Sequence, residues 1–165
     1  MEQGTGNWEH GFRRLNAWKS ADDLASEVFR LTEMLDQRHR WLGLQAVRAA
    51  FSVSANIAEG YGRSSLGDYL RFLEVAGGSL NEVENALHFM KRNSVCPTET
   101  LRAAEELRWK TGNLLFGLAR SLRSKQKNNE NWQRGLIKEQ EAEYATGPSN
   151  DMFPVPSSMF LDAEA

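Results

Sequence analysis

Few side chains in this sequence are spaced for catalysis. The three histidines lie in three different predicted segments, at positions 10, 39 and 88, and the only cysteine lies in a predicted loop at position 96. Glu84 and His88 are four residues apart on one predicted helix, whereas a ferritin-like di-iron bundle needs Glu-x-x-His pairs and further inward-facing glutamates. No glycine-rich loop lies between a predicted strand and a predicted helix, so the phosphate-binding fingerprints of ATPases and dehydrogenases are absent. We therefore expect a protein that is not an enzyme and has no catalytic residue, metal site or cofactor.

A set of polar residues recurs at helical spacing within and after the stretch Leu44–Arg63. One flank of this stretch combines small residues with groups that can hydrogen-bond or form ion pairs across a helix contact. With two glutamates of the following helix, the set comprises Arg48, Ser52, Asn56, Glu59, Glu74 and Glu82. Buried charges are costly unless they are paired, so we expect a polar network inside the bundle or at a subunit interface. The alternative is a site for a small ligand.

Eight cations come together only if successive helices alternate in direction. Up-and-down threading places the start of the first helix, the turn between the second and third helices, and the end of the fourth helix at one end of a bundle. We name this end the basic pole, and its predicted members are Arg13, Arg14, Lys19, Arg63, Arg120, Arg123, Lys125 and Lys127. Clustered cations favour binding to nucleic-acid phosphates. The alternative is that they only complement helix dipoles, with nearby acidic residues diluting the positive field.

Hydrophobic periodicity predicts four helices and no strand. Apolar residues recur at spacings of three and four, mostly in strict alternation, in the first, third and fourth helices, which indicates one buried face in each. The first helix is predicted to begin at Asn16 and to continue to about residue 36, and a capping box of Ser65 and Asp68 begins the third. Pro97 or Thr98 begins the fourth. The buried seams are Ala17, Ala21, Leu24, Val28, Leu31 and Leu35 in the first helix, Leu66, Tyr69, Leu73, Ala76, Leu80, Val83, Leu87 and Met90 in the third, and Leu101, Ala104, Thr111, Leu115, Leu118 and Leu122 in the fourth.

The second helix is predicted from about Leu44 to Gly62, after a short connection at residues 37–43. Its expected buried seam is Leu44, Val47, Phe51, Ser54, Ala58 and Tyr61. In the third helix, Gly77 and Gly78 would each cost about 1 kcal/mol relative to alanine, so their presence needs a reason. We expect them to allow close approach to the small residues of the second helix.

Four helices joined by short loops specify an all-α, antiparallel up-down-up-down four-helix bundle. We assign residues 15–127 to this bundle, residues 1–14 to an N-terminal arm, and residues 128–165 to an acidic, largely disordered tail. Residues 1–127 carry 18 basic and 15 acidic side chains, whereas residues 128–165 carry 2 basic and 7 acidic ones. The sequence therefore predicts a weakly basic body with an acidic tail.

Two motifs carry a resemblance to a known family. The run RAAFSVSANIAEGYGR, with Gln45 before it and RFLEVAGGSLNEVE after it, resembles the bacterial four helix bundle proteins, also called 23S ribosomal RNA intervening-sequence proteins. The opening FRRLNAWKSA is similar to the start of that family. Two positions differ from the family's pattern. We expect arginine where Val47 stands, and often proline, which would kink the helix, where Ser54 stands. The resemblance implies the bundle fold and a homo-oligomer, and the oligomer that we expect from it is a homopentamer.

A related family of accessory proteins, from diversity-generating retroelements, forms pentamers and binds nucleic acid with a reverse transcriptase. By this resemblance we expect a non-catalytic accessory protein that binds RNA or DNA through the basic pole, with a reverse transcriptase or another protein as partner. The alternative is a protein interaction scaffold whose tail docks a partner and which has no nucleic-acid role.

The expected location is the cytoplasm of a bacterium. A single cysteine excludes an internal disulfide and is typical of reducing compartments. The first eleven residues, MEQGTGNWEHG, lack the apolar run of a secretory signal, and no stretch approaches an apolar span of eighteen residues. We therefore expect no membrane partner.

Overall fold

The computed structural model describes residues 11–127 of the 165-residue chain. It contains four α-helices, α1 (Asn16–Glu33), α2 (Arg40–Tyr61), α3 (Leu66–Arg92) and α4 (Thr98–Lys127), and two short 3-10 turns at Gly11–Arg14 and Gln37–His39. Within these residues α1 packs against α2 and α4, and α3 packs against the same two helices. This is the neighbour pattern of an up-down-up-down bundle, so the predicted all-α four-helix fold is confirmed.

The described residues do not cover every predicted segment. The predicted tail, residues 128–165, and the first ten residues of the predicted arm lie outside them. The rest of the predicted arm includes the 3-10 turn Gly11–Arg14, which packs against α1 and α2.

The predicted seams of α1, α3 and α4 are confirmed, because every residue assigned to them is buried. The boundaries differ slightly from those predicted. α1 ends at Glu33, about three residues early, and α2 begins at Arg40, four residues before Leu44. The predicted start of α4 at Pro97 or Thr98 holds, because the helix begins at Thr98.

The predicted cap of Ser65 and Asp68 before α3 is also confirmed, although the second bond of the pair runs from the Ser65 hydroxyl and not from its backbone N–H. The Ser65 hydroxyl accepts a hydrogen bond from the Asp68 backbone N–H at 3.0 Å and donates one to the Asp68 carboxylate at 2.8 Å. A cap of this kind contributes about 1 kcal/mol to helix stability. It fixes where the turn from α2 ends and α3 begins, with the cap residue two residues after Arg63.

The predicted seam of α2 is wrong. Leu44 is 50 % exposed and Phe51 is 64 % exposed, while Val47, Ala58 and Tyr61 are only half-buried. Ser54 alone of the predicted seam is buried. The buried face is instead Leu42, Gly43, Ala46, Ala49, Ala50, Val53, Ser54, Ile57 and Gly60.

Close helix packing explains why α2 turns its small residues inward. A Cβ at Gly43 would lie 2.6 Å from Cγ2 of Thr32 in α1, and a Cβ at Gly60 would lie 2.6 Å from Cδ2 of Tyr69 in α3. Both distances are far shorter than van der Waals contact, so α2 touches its two neighbours through backbone at these points. A seam of large residues would hold the helices further apart.

The predicted role of the glycine pair in α3 is also wrong. A Cβ at Gly77 would lie 3.7 Å from the ring of Phe116, which belongs to α4, and a Cβ at Gly78 would meet nothing within 4 Å. Neither glycine therefore packs against α2. The close approaches in this bundle occur at the glycines of α2 itself.

Candidate nucleic-acid interface at the basic pole

Contacts at one end of the bundle bring together the segments predicted to form the basic pole. A Cβ at Gly11 would lie 3.7 Å from the ring of Tyr61, so the 3-10 turn before α1 lies beside the end of α2. A Cβ at Gly67 would lie 3.8 Å from the Gln126 side-chain nitrogen, so the start of α3 lies beside the end of α4. The same end therefore collects the start of α1, the α2–α3 turn and the end of α4.

The predicted cations of this pole face solvent. Seven are exposed and one, Lys125, is half-buried; the exposed ones are Arg13, Arg14, Lys19, Arg63, Arg120, Arg123 and Lys127. Those in α1 and α4 lie within about two helical turns of the end of their helix. Topology thus places the set at one accessible end of the bundle, which allows joint contact with a polyanion.

Only two of the eight cations form ion pairs with described residues. Arg63 pairs with Glu59 one turn earlier in α2 and also lies over the Phe72 ring, 4.6 Å from its centroid. Arg123 of α4 pairs with Glu74 of α3, with Nη2 and Oε1 3.0 Å apart. Both pairs are exposed, so each neutralises its arginine only weakly. Six of the eight predicted cations therefore have no ion-pair partner among the described residues.

The structure adds a ninth cation, which the sequence analysis missed. Arg71 lies in the second turn of α3, is exposed, and forms no ion pair with any described residue. It is three residues before Glu74, which reaches Arg123 across the α3–α4 contact. The capping box would have placed Arg71 at the pole, because it shows that α3 begins there.

The predicted polar set does not come together within one chain. Ser52 of α2 hydrogen-bonds Ser79 of α3, with the two hydroxyl oxygens 2.9 Å apart, and Asn56 donates to the Ser52 hydroxyl at 3.0 Å. Ser79 is a partner that the sequence analysis missed. Glu59 and Glu74 instead pair with cations of the basic pole.

The remaining two members of the set, Arg48 and Glu82, are exposed and form no ion pair with described residues. The set therefore divides into a small cross-helix network, two pole carboxylates and two exposed charges. A network spanning a subunit interface stays a prediction.

Large apolar side chains are exposed around α2, and we name this surface the apolar face. Its members are Phe29 of α1, Trp41, Leu44 and Phe51 of α2, and Val75 and Phe89 of α3. The spacing of 41, 44 and 51 puts three of them on one side of α2. Val75 lies one helical turn before Ser79, which hydrogen-bonds Ser52 of α2. Phe29 lies one turn before Thr32, which contacts Gly43 of α2. Large apolar side chains exposed together are typical of an interaction site.

The remaining chemistry-bearing groups lie away from the pole. Cys96 lies in the α3–α4 connection, at the opposite end of the bundle. Burial raises the pKa of its thiol, which disfavours the reactive thiolate. Among the four described helices, none is long and apolar enough to cross a membrane.

Comparisons with known proteins agree with the fold and the motifs. A family described as 23S rRNA-intervening sequence protein matches residues 13–117, which is well over half of the chain. A crystal structure of a protein of unknown function from the S23 ribosomal protein family of Bacteroides thetaiotaomicron has a similar fold, with a TM-score of 0.59 and 22 % sequence identity. That match covers 62 % of this chain and 97 % of the other. No curated protein matches the chain. The chain belongs to the 23S rRNA-intervening sequence protein family.

Proposed function

We propose that this protein is a non-catalytic accessory protein that binds nucleic acid through the basic pole. The observation that carries the proposal is the convergence of nine exposed or half-buried cations from α1 and the turn before it, the α2–α3 turn, α3 and α4, of which only Arg63 and Arg123 are ion-paired with described residues. Side chains of this kind bind phosphate oxygens without reading base sequence. The expected ligand is structured RNA or duplex DNA.

Self-association is part of the proposal. The apolar face is a candidate contact between copies, and Arg48 and Glu82 on the same side of the molecule offer charges of opposite sign for pairing across it. By the family resemblance we propose a homopentameric ring. A ring repeats the pole around one axis, so a long polyanion can contact several poles at once and bind more tightly than to one.

The resemblance also supports a protein partner. An accessory protein of this kind would hold nucleic acid for an enzyme such as a reverse transcriptase, and that enzyme would supply the chemistry. The protein would contribute binding and positioning.

The alternative function is a protein interaction scaffold without a nucleic-acid role. The apolar face favours it, since exposed apolar surface also binds other proteins. In this alternative the acidic tail recruits the partner and the basic pole only balances helix dipoles.

Reversing charge at the two ends of the bundle tests the proposal. Arg120→Glu with Arg123→Glu changes the pole, and the matched control, Arg92→Glu with Arg102→Glu, makes the same charge change at the opposite end. Fluorescence anisotropy with labelled structured RNA and duplex DNA at low salt should show binding lost in the first variant and largely kept in the second. Equal loss in both variants would indicate net charge alone, and no binding by the unmodified protein would favour the scaffold.

A further inference from the structure

A groove of about 320 Å³ lies between α3 and α4 at the basic pole. Seven residues line it: Gly67, Leu70, Arg71 and Glu74 from α3, and Arg123, Gln126 and Lys127 from α4. Its volume is at the lower end of the range of small-ligand pockets, about 300 to 1,000 Å³. An occupant would therefore touch both helices, and the groove has room for a group the size of a phosphate.

The lining is strongly cationic. Three of its side chains are positive and one is negative, and the negative one, Glu74, is paired with Arg123 at 3.0 Å. Arg71 and Lys127 form no ion pair with described residues. Two unpaired cations on opposite walls therefore face an occupant, and Gln126 adds an amide donor.

The chemistry of this lining selects phosphate. Two guanidinium groups present planar donor pairs that match phosphate oxygens, and the lysine adds a point charge. None of the seven lining residues is aromatic, so the groove lacks the rings on which bases stack most commonly. A free nucleotide would therefore gain little from its base, whereas a backbone phosphate is also held by the contacts that the rest of the polymer makes with the pole.

We propose that the α3–α4 groove binds a phosphodiester of the nucleic-acid backbone, and that Glu74 competes with this phosphate for Arg123. The inference rests on the proposed function and assigns one contact within it. In the free protein the Glu74 carboxylate is the anion on Arg123. Its side chain is 63 % exposed, so it can leave the arginine without being buried elsewhere when a phosphate enters.

Three single variants of the full chain test the assignment with the labelled structured RNA as probe. Arg71→Gln should weaken binding about tenfold, as expected for one lost charge-assisted contact. It should also make the slope of log affinity against log salt shallower by about one. Glu74→Gln removes the competing carboxylate and should tighten binding about fivefold. Arg92→Gln, at the far end of α3, is the matched control and should change neither quantity.

The possible failures are distinguishable. If reversal at Arg120 and Arg123 abolishes binding while Arg71→Gln leaves affinity and slope unchanged, the groove assignment is overturned and the proposed function stands. Weaker binding by Glu74→Gln would overturn the competition, because it would mean that the carboxylate positions Arg123 for the ligand. No RNA binding by the unmodified protein would overturn both proposals.

A separate titration distinguishes the backbone from free phosphate. Inorganic phosphate added to the full chain and followed by ³¹P NMR should bind weakly, at millimolar concentration or above. Tight phosphate binding that Arg71→Gln removes, with RNA affinity unchanged in that variant, would assign the groove to a free anion and overturn the backbone assignment.

Discussion

At Gly60 the backbone of α2 lies directly against α3. A Cβ there would lie 2.6 Å from the Tyr69 ring and 2.8 Å from Cβ of Phe72, neither of which is the free end of a flexible chain. At Gly78, by contrast, a Cβ would enter open space. An alanine side chain would therefore clash at Gly60 but fit at Gly78.

The pair gives a prediction at the residue scale. Gly60→Ala should destabilise the protein by about 1 to 3 kcal/mol, because the added methyl group forces α2 and α3 apart. Gly78→Ala should stabilise it by about 1 kcal/mol, because alanine lowers the entropy cost of a helix interior without a clash. Urea unfolding followed by circular dichroism measures both. The same sign of change at both positions would contradict the described α2–α3 contact.

At the scale of the element, α2 differs from the other three helices in the side chains that it exposes to solvent. The other helices bury one seam of mostly large apolar residues, whereas α2 buries alanine, glycine and a few larger side chains and exposes Leu44 and Phe51. A helix with apolar residues on two sides suits a position between its own core and a further surface. The apolar face is therefore a property of α2 and of the residues that flank it.

A substitution on this face tests self-association. Phe51→Glu should lower the molar mass in solution to that of one chain, because it places a charge in the proposed contact. It should leave the helical circular dichroism signal in place, since Phe51 lies outside the bundle core. Trp109→Glu is the control, on α4, which does not contact α2. Light scattering that reports an unchanged mass for Phe51→Glu, or an equal loss for both variants, would contradict the assignment.

The helices also show how far the sequence could predict the structure. The seams of α1, α3 and α4 were predictable because each helix has one stripe of apolar residues at helical spacing. α2 has two, and spacing cannot say which one faces the core. The choice depends on how closely the helices approach, which Gly43 and Gly60 determine through contacts with residues distant in sequence.

The candidate site was predictable to a similar extent. The up-down-up-down topology was enough to predict that the eight cations lie at one end of the bundle, because every second helix terminus lies at the same end. Arg71 was missed, although the capping box already places the start of α3 at the pole. The division of the polar set could not be predicted, since it depends on which stripe of α2 faces the core and on contacts between helices, such as the pair of Glu74 with Arg123.

At the scale of the whole molecule, charge is divided between body and tail. Residues 128–165 carry a net charge of −5 and follow Lys127, which lines the groove at the basic pole. If the pole binds nucleic acid as proposed, an acidic segment attached at this point would compete for the same cations. We therefore expect the tail to weaken binding.

Removing the tail tests this expectation. Deleting residues 128–165 should strengthen RNA binding several-fold at low salt, with a smaller effect at high salt, where charge interactions are screened. The full-length triple variant Glu139→Gln, Glu141→Gln and Glu143→Gln should have a similar, smaller effect, which separates charge from chain length. Anisotropy titrations at two salt concentrations measure both. Unchanged or weaker binding after deletion would contradict autoinhibition.

The most direct test of the central claim is the salt dependence of RNA and DNA binding by the unmodified protein. Contact with about four phosphates predicts that log affinity falls against log salt with a slope of about −3 or steeper. A flat response or no binding at low salt would contradict a phosphate-binding pole. The apolar face would then be the main functional surface, and the protein would be a scaffold.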